Sequence, residues 1–228
     1  MKLQRDPWEV VIRPERGGRI TSLKLRGEEL LDQGIGVDKP QAAGFVEGGA
    51  QGWDEMVPNL EATDALPDHG EAWRLRWNVL EVDATSAVMD AFGRLVPWHL
   101  TRTIALGDEV RVSYVYRNVG DRPHVAYWCA HPLFKYEDGM DLAIPDLAEG
   151  ASTKLFLPPG SVARYRLGWS SGAAIEMSWD SALTPDVAIW ACNGDLGGYR
   201  QVAVEPATAS PLLEPGGSYS WWLRIAAL

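Results

Sequence analysis

Trp98-His-Leu-Thr-Arg-Thr-Ile-Ala-Leu-Gly-Asp-Glu-Val-Arg-Val-Ser-Tyr-Val-Tyr-Arg117 alternates twice, with one turn between. Trp98, Leu100, Arg102, Ile104 and Leu106 fall on one side of the first run, with His99, Thr101, Thr103 and Ala105 on the other. Val110, Val112, Tyr114 and Tyr116 repeat the pattern after Gly107-Asp108. A period of two is that of a strand with one buried face. Two such runs joined by a tight turn predict an antiparallel pair.

The same grammar extends outward in both directions. Trp8–Ile12 and Arg19–Leu25 read as strands around a Pro14–Gly18 turn, and Leu75, Trp77 and Val79 as a further alternating run. Val125–His131, Ala173–Trp179, Val187–Cys192, Arg200–Glu205 and Tyr219–Ile225 follow. His131 and Glu205 each precede a proline, which places each ionisable side chain at a strand tip. Residues 32–52, with six glycines, and residues 137–160 lack periodicity and read as irregular. No sustained helical period, repeat or linker appears. The expectation is an all-β chain, residues 1–228 forming a single large antiparallel β-sandwich domain.

Composition narrows the function. A formal net charge of −10 disfavours nucleic acid and anionic membranes as partners. Two cysteines, Cys129 and Cys192, make neither a disulfide framework nor a zinc motif, and no apolar signal segment or spanning stretch is visible, so a reduced cytoplasmic protein is expected. Eleven tryptophans suit sugar-binding surfaces as well as a core.

Gly168-Trp-Ser-Ser-Gly172 has the Gly-x-Ser-x-Gly spacing but no helical period follows it, and no glycine loop opens a helix, so serine-hydrolase and phosphate-loop readings are disfavoured. No protein-held metal and no cofactor are expected. Asp54, Glu55, Asp68, Glu71 and Asp186 keep a two-carboxylate glycosidase open. The other constellation is His69, His131 and Glu205, an imidazole–carboxylate set that could pass one proton into a bound molecule and take another out, from opposite sides.

These residues stand in segments that resemble the aldose 1-epimerase (mutarotase) family of the galactose-mutarotase-like superfamily. The segments are Gly17-Gly-Arg-Ile-Thr-Ser-Leu23 with Gly27-Glu-Glu-Leu-Leu31, Gly52-Trp-Asp-Glu-Met-Val-Pro-Asn59, Asp68-His-Gly-Glu-Ala-Trp73 and His131-Pro132. Val187-Ala-Ile-Trp190 leading to Val204-Glu-Pro206, and Leu213-Glu-Pro-Gly216, complete the order. The resemblance implies a β-supersandwich that interconverts the anomers of a neutral aldose without a cofactor, as a monomer or homodimer. It implies Glu205 as general base on the anomeric hydroxyl, His131 as general acid on the ring oxygen, and His69 beside that oxygen. Trp53, Asp54, Trp73, Asp186 and Trp190 are the candidate substrate-binding residues. A hexose-6-phosphate 1-epimerase and a non-catalytic carbohydrate-binding sandwich remain the alternatives. The family's pattern of an arginine shortly after His-Gly is replaced here by Trp73, and its loops are commonly longer.

Overall fold

A computed structural model describes residues 1–142, 144 and 147–228. In chain order the strands are β1 (Lys2–Arg5), β2 (Trp8–Arg13), β3 (Arg19–Leu25), β4 (Glu28–Glu29), β5 (Trp53–Met56) and β6 (Asn78–Val82). Next come β7 (Ser86–Phe92), β8 (Trp98–Leu106), β9 (Glu109–Asn118), β10 (His124–Val125), β11 (Cys129–Lys135) and β12 (Ala151–Leu157). The last six are β13 (Arg164–Gly168), β14 (Ala174–Trp179), β15 (Asp186–Asn193), β16 (Arg200–Ala207), β17 (Leu212–Leu213) and β18 (Ser218–Ala227). Helical structure among the described residues is confined to short turns, and none is long and apolar enough to cross a membrane.

Two large antiparallel sheets carry the fold. One runs β1-β2-β3-β5-β11-β16-β15-β12, with β4 beside β3; the other runs β13-β14-β18-β9-β8-β7-β6. The alternation at 98–117 sets the second sheet's register: Trp98 lies opposite Asn118 and Leu106 opposite Val110. Every second residue of β8 is buried, as a strand with one face on the core must be. That core gathers Val10, Ile12 and Val204 from the first sheet with Leu100, Ile104 and Val112 from the second. This is an all-β antiparallel sandwich.

One polar clasp crosses the core. Glu55 on β5 accepts from Arg102 Nη1 at 2.8 Å, Tyr114 Oη at 3.0 Å and Trp128 Nε1 at 2.6 Å. Arg102 also donates to the Gly18 carbonyl and stacks on Trp77. Gly18 is required there: at φ +63° a Cβ would meet the Trp77 ring at 2.9 Å. With both charges fully buried, the clasp fixes how the sheets align.

Three expectations change. Leu75 and Trp77 precede the strand, which starts at Asn78, because residues 72–74 coil into a short 3-10 turn. Residues 126–128 separate β10 from β11, since Ala126 and Trp128 bond to the segment after β16 rather than continue a ladder. Most consequentially, neither proline ends its strand. β11 runs through Pro132 to Lys135, and β16 runs through Pro206 to Ala207.

Candidate active site

The two prolines act on the ladder between their strands. β11 and β16 pair Cys129 with Ala207 and Leu133 with Ala203, and this register sets His131 opposite Glu205. The residues between those two pairs are not paired across β11 and β16. Proline has no N–H to give, so each loses a ladder bond while its strand stays anchored on the far side, Pro132 by Trp53 and Pro206 by Val187. The sheet is therefore held open where the imidazole and the carboxylate meet.

Strand parity puts this pair on the sheet's outer face. Val202 and Val204 enter the inter-sheet core, whereas Ala203 and Ala207 belong to a second apolar cluster outside, with Met56, Cys129, Leu133 and Tyr199. Loops 32–52 and 57–77 fold over that face and bring Phe45 and Trp73 into the cluster. On the same face Trp190 lies opposite Ala203, and Lys154 opposite Trp190. The result is a cavity of about 150 Å³ lined by Glu205, His131, His69, Lys154, Trp190 and Phe45.

Glu205 is 1% exposed and His131 6%. Lys154 Nζ lies 2.7 Å from Glu205 Oε2, and His131 Nε2 lies 3.7 Å from Glu205 Oε1. Neither Glu205 oxygen has a directed hydrogen bond, and neither does His131 Nδ1. Oε2 has the Lys154 ammonium beside it, which leaves Oε1 and His131 Nδ1 as buried atoms without a close partner, an uncommon arrangement. His69 Nδ1 donates to Asp68 Oδ2 at 2.7 Å, and its ring stacks on Phe45 at 4.6 Å and meets His131 edge-on at 5.2 Å. Its backbone sits at φ +59°, a costly region for a residue with a Cβ.

Burial pushes the Glu205 carboxyl up from the usual carboxylate range, and the Lys154 ammonium pulls against it. Burial opposes the charge on Lys154 as well, but Glu205 outweighs it and holds the ammonium above its ordinary value. His131 is pushed well down, by burial first and then by the positive potentials of His69 and Lys154. His69 is lowered by burial, with Asp68 opposing. These shifts favour a neutral imidazole at His131 and a charged ammonium at Lys154.

The sequence-derived site residues divide. His69, His131, Glu205 and Trp190 converge on one cavity, and Asp186 lies on the rim of an adjoining one that shares Glu205. Trp53, Asp54 and Trp73 do not line it. Trp53 is fully buried between the sheets, where strand parity aims it. Asp54 is bound by Arg19, with Nη2 at 2.7 Å from Oδ2. Trp73 is buried edge-on against Phe45 and flanked by Arg16 and Arg74. Lys154 and Phe45 are additions. Residues 137–160 read as irregular, yet 151–157 form a strand; its side chains, Phe156 excepted, are half-buried on both faces, which erases the alternation. Among the described residues no cluster of three or more His, Cys, Asp or Glu side chains is placed to hold a metal ion.

The architecture is that of a galactose-mutarotase-like β-sandwich in fold. Solved structures match over the full chain: a protein of Escherichia coli K12 provisionally assigned as an aldose 1-epimerase has a TM-score of 0.79 at 14% identity, with 100% of this chain and 98% of that one covered. A galactose mutarotase-like protein from Lactobacillus casei has a TM-score of 0.77 at 14% identity, covering 100% and 99%. A galactose mutarotase related enzyme from Lactobacillus acidophilus has a TM-score of 0.74 at 12% identity, covering 100% and 97%. At these identities the likeness is one of fold. No protein-family model matches the sequence, and no curated protein matches it.

Proposed function

We propose that the protein is a cofactor-independent aldose 1-epimerase that opens and recloses the hemiacetal of a neutral aldose. The observation that carries this reading is the pairing of His131 Nε2 with Glu205 Oε1 at 3.7 Å, both open toward a cavity. That spacing leaves no room for a ring between acid and base, which corrects the expectation that they flank the sugar from opposite sides. The reaction does not require flanking. The ring oxygen and the anomeric hydroxyl are bonded to the same carbon, so two neighbouring groups can reach both from one face.

Glu205 takes the proton of the anomeric hydroxyl as the ring oxygen receives one from His131, and the bond from that oxygen to the anomeric carbon breaks. Rotation of the free aldehyde and closure with the roles reversed give the other anomer. His131 must be charged for its part, and Lys154 governs that. While the ammonium lies against Glu205, it offsets the carboxylate's charge, and burial with the positive potential of Lys154 holds the imidazole down. A sugar hydroxyl that draws Lys154 off Glu205 leaves the carboxylate as partner to the imidazole, which favours imidazolium. Lys154 is the only cation among the described lining residues and is engaged with Glu205, which supports a neutral sugar over a phosphorylated one.

The test follows anomer exchange of freshly dissolved α-glucose and α-galactose by proton NMR. A rate above the spontaneous one supports the epimerase. Binding without acceleration would replace it with a carbohydrate-binding sandwich.

A further inference from the structure

The cavity around His131 is small for a ligand site, because pockets that enclose small molecules run from roughly 300 to 1,000 Å³. A second cavity of about 350 Å³ lies beside it, and Glu205 forms part of both. Its other walls are mainly apolar: Leu60, Tyr127, Phe156, Leu157 and Pro159, with Asp186 as the one further carboxylate. The two spaces form one surface because of strand register. Glu205 lies opposite Ala188, and Ala188 opposite Phe156, so the three side chains make a row across β16, β15 and β12. Ala188 in the middle leaves the floor low. Phe156 at the far end is 65% exposed, with only the Lys154 ammonium 5.7 Å from its ring centroid. Two strand spacings separate it from Glu205, roughly 10 Å, which is more than one pyranose spans.

We infer that this second cavity is a subsite for a second sugar ring, and that the preferred substrate is the reducing end of a disaccharide or longer oligosaccharide. The reducing ring sits over His131 and Glu205, and the next ring lays its C–H face on Phe156 with a hydroxyl toward Asp186. Aromatic faces suit the apolar face of a pyranose, and a carboxylate at the rim accepts from its hydroxyls. The proposal names a substrate class and rests on the epimerase reading of the first cavity.

The experiment compares anomer exchange of maltose, cellobiose and lactose with that of glucose and galactose, in the native protein and in Phe156→Ala and Phe156→Trp. Because Phe156 is exposed, neither substitution disturbs the core. At least one disaccharide should exceed its monosaccharide in kcat/KM by about tenfold or more. Phe156→Ala should cut that ratio about tenfold, and Phe156→Trp should restore it. Equal rates for one and two rings, with a ratio indifferent to Phe156, would overturn the subsite and leave the epimerase standing. If no sugar exchanges faster than in buffer, the epimerase reading fails. Titration of the same disaccharides by tryptophan fluorescence then decides the subsite alone: tighter binding than the monosaccharides, weakened about tenfold by Phe156→Ala, upholds it, and no such difference overturns it.

Discussion

His131 and Glu205 face each other across adjacent antiparallel strands, Nε2 to Oε1 3.7 Å, at the point where Pro132 and Pro206 leave the ladder between them unpaired. Prolines in two neighbouring interior strands conflict with ordinary sheet grammar. Departures of that kind gather at functional sites, where the surrounding structure sustains them. Here the flanking strands β5 and β15 do so.

Lys154→Met should raise the pH at which His131 titrates. The substitution removes a cation that lowers the imidazole and leaves Glu205 as its nearest charge. Histidine side-chain NMR across pH 4 to 8, in the native protein and the variant, checks the direction. An unchanged or lower titration point would show that Lys154 does not govern the pair.

Folding stability should fall as the solution is acidified below about pH 6.5, the ordinary histidine value. His131 and His69 are both lowered in the folded protein, so the unfolded chain takes up protons first, and each such group costs about 1.4 kcal/mol per pH unit until the folded form titrates as well. Urea midpoints measured at pH 7.5, 6.5 and 5.5 should decline, and His131→Gln should flatten the decline.

Arg102→Met should destabilise the fold by about 3–5 kcal/mol, because it strands the Glu55 carboxylate between the sheets. Pairing it with Glu55→Gln should recover a good part of that loss. Denaturant unfolding of the two single variants and the double variant measures the coupling.

Much of the fold was legible because its strands bury one face. β8 and β3 begin and end where alternation places them, at Trp98–Leu106 and Arg19–Leu25. The imidazole–carboxylate set was legible because His69, His131 and Glu205 each sit in a short distinctive segment. What the sequence hid has physical causes. Ala151-Ser-Thr-Lys-Leu-Phe-Leu157 is half-buried on both faces apart from the exposed Phe156, so neither its strand nor Lys154 showed a pattern. Phe45 lies in a glycine-rich loop whose path over the sheet is set by tertiary packing against Trp73 and His69. Trp53 and Asp54 drew notice as adjacent residues of one segment, but parity sends them to opposite faces, one into the core and one to Arg19. The prolines signalled the two site strands correctly and their ends wrongly, since a proline costs one ladder bond and the outer neighbours keep the rest.

The most direct measurement is the exchange rate between α and β anomers, followed by proton NMR, for the native protein, Glu205→Gln and His131→Asn, with circular dichroism establishing that each remains folded. Native protein should accelerate exchange, and each substitution should bring the rate down by about a hundredfold or more, the scale of a lost general acid or base. A folded Glu205→Gln variant that exchanges anomers as fast as the native protein would contradict the account.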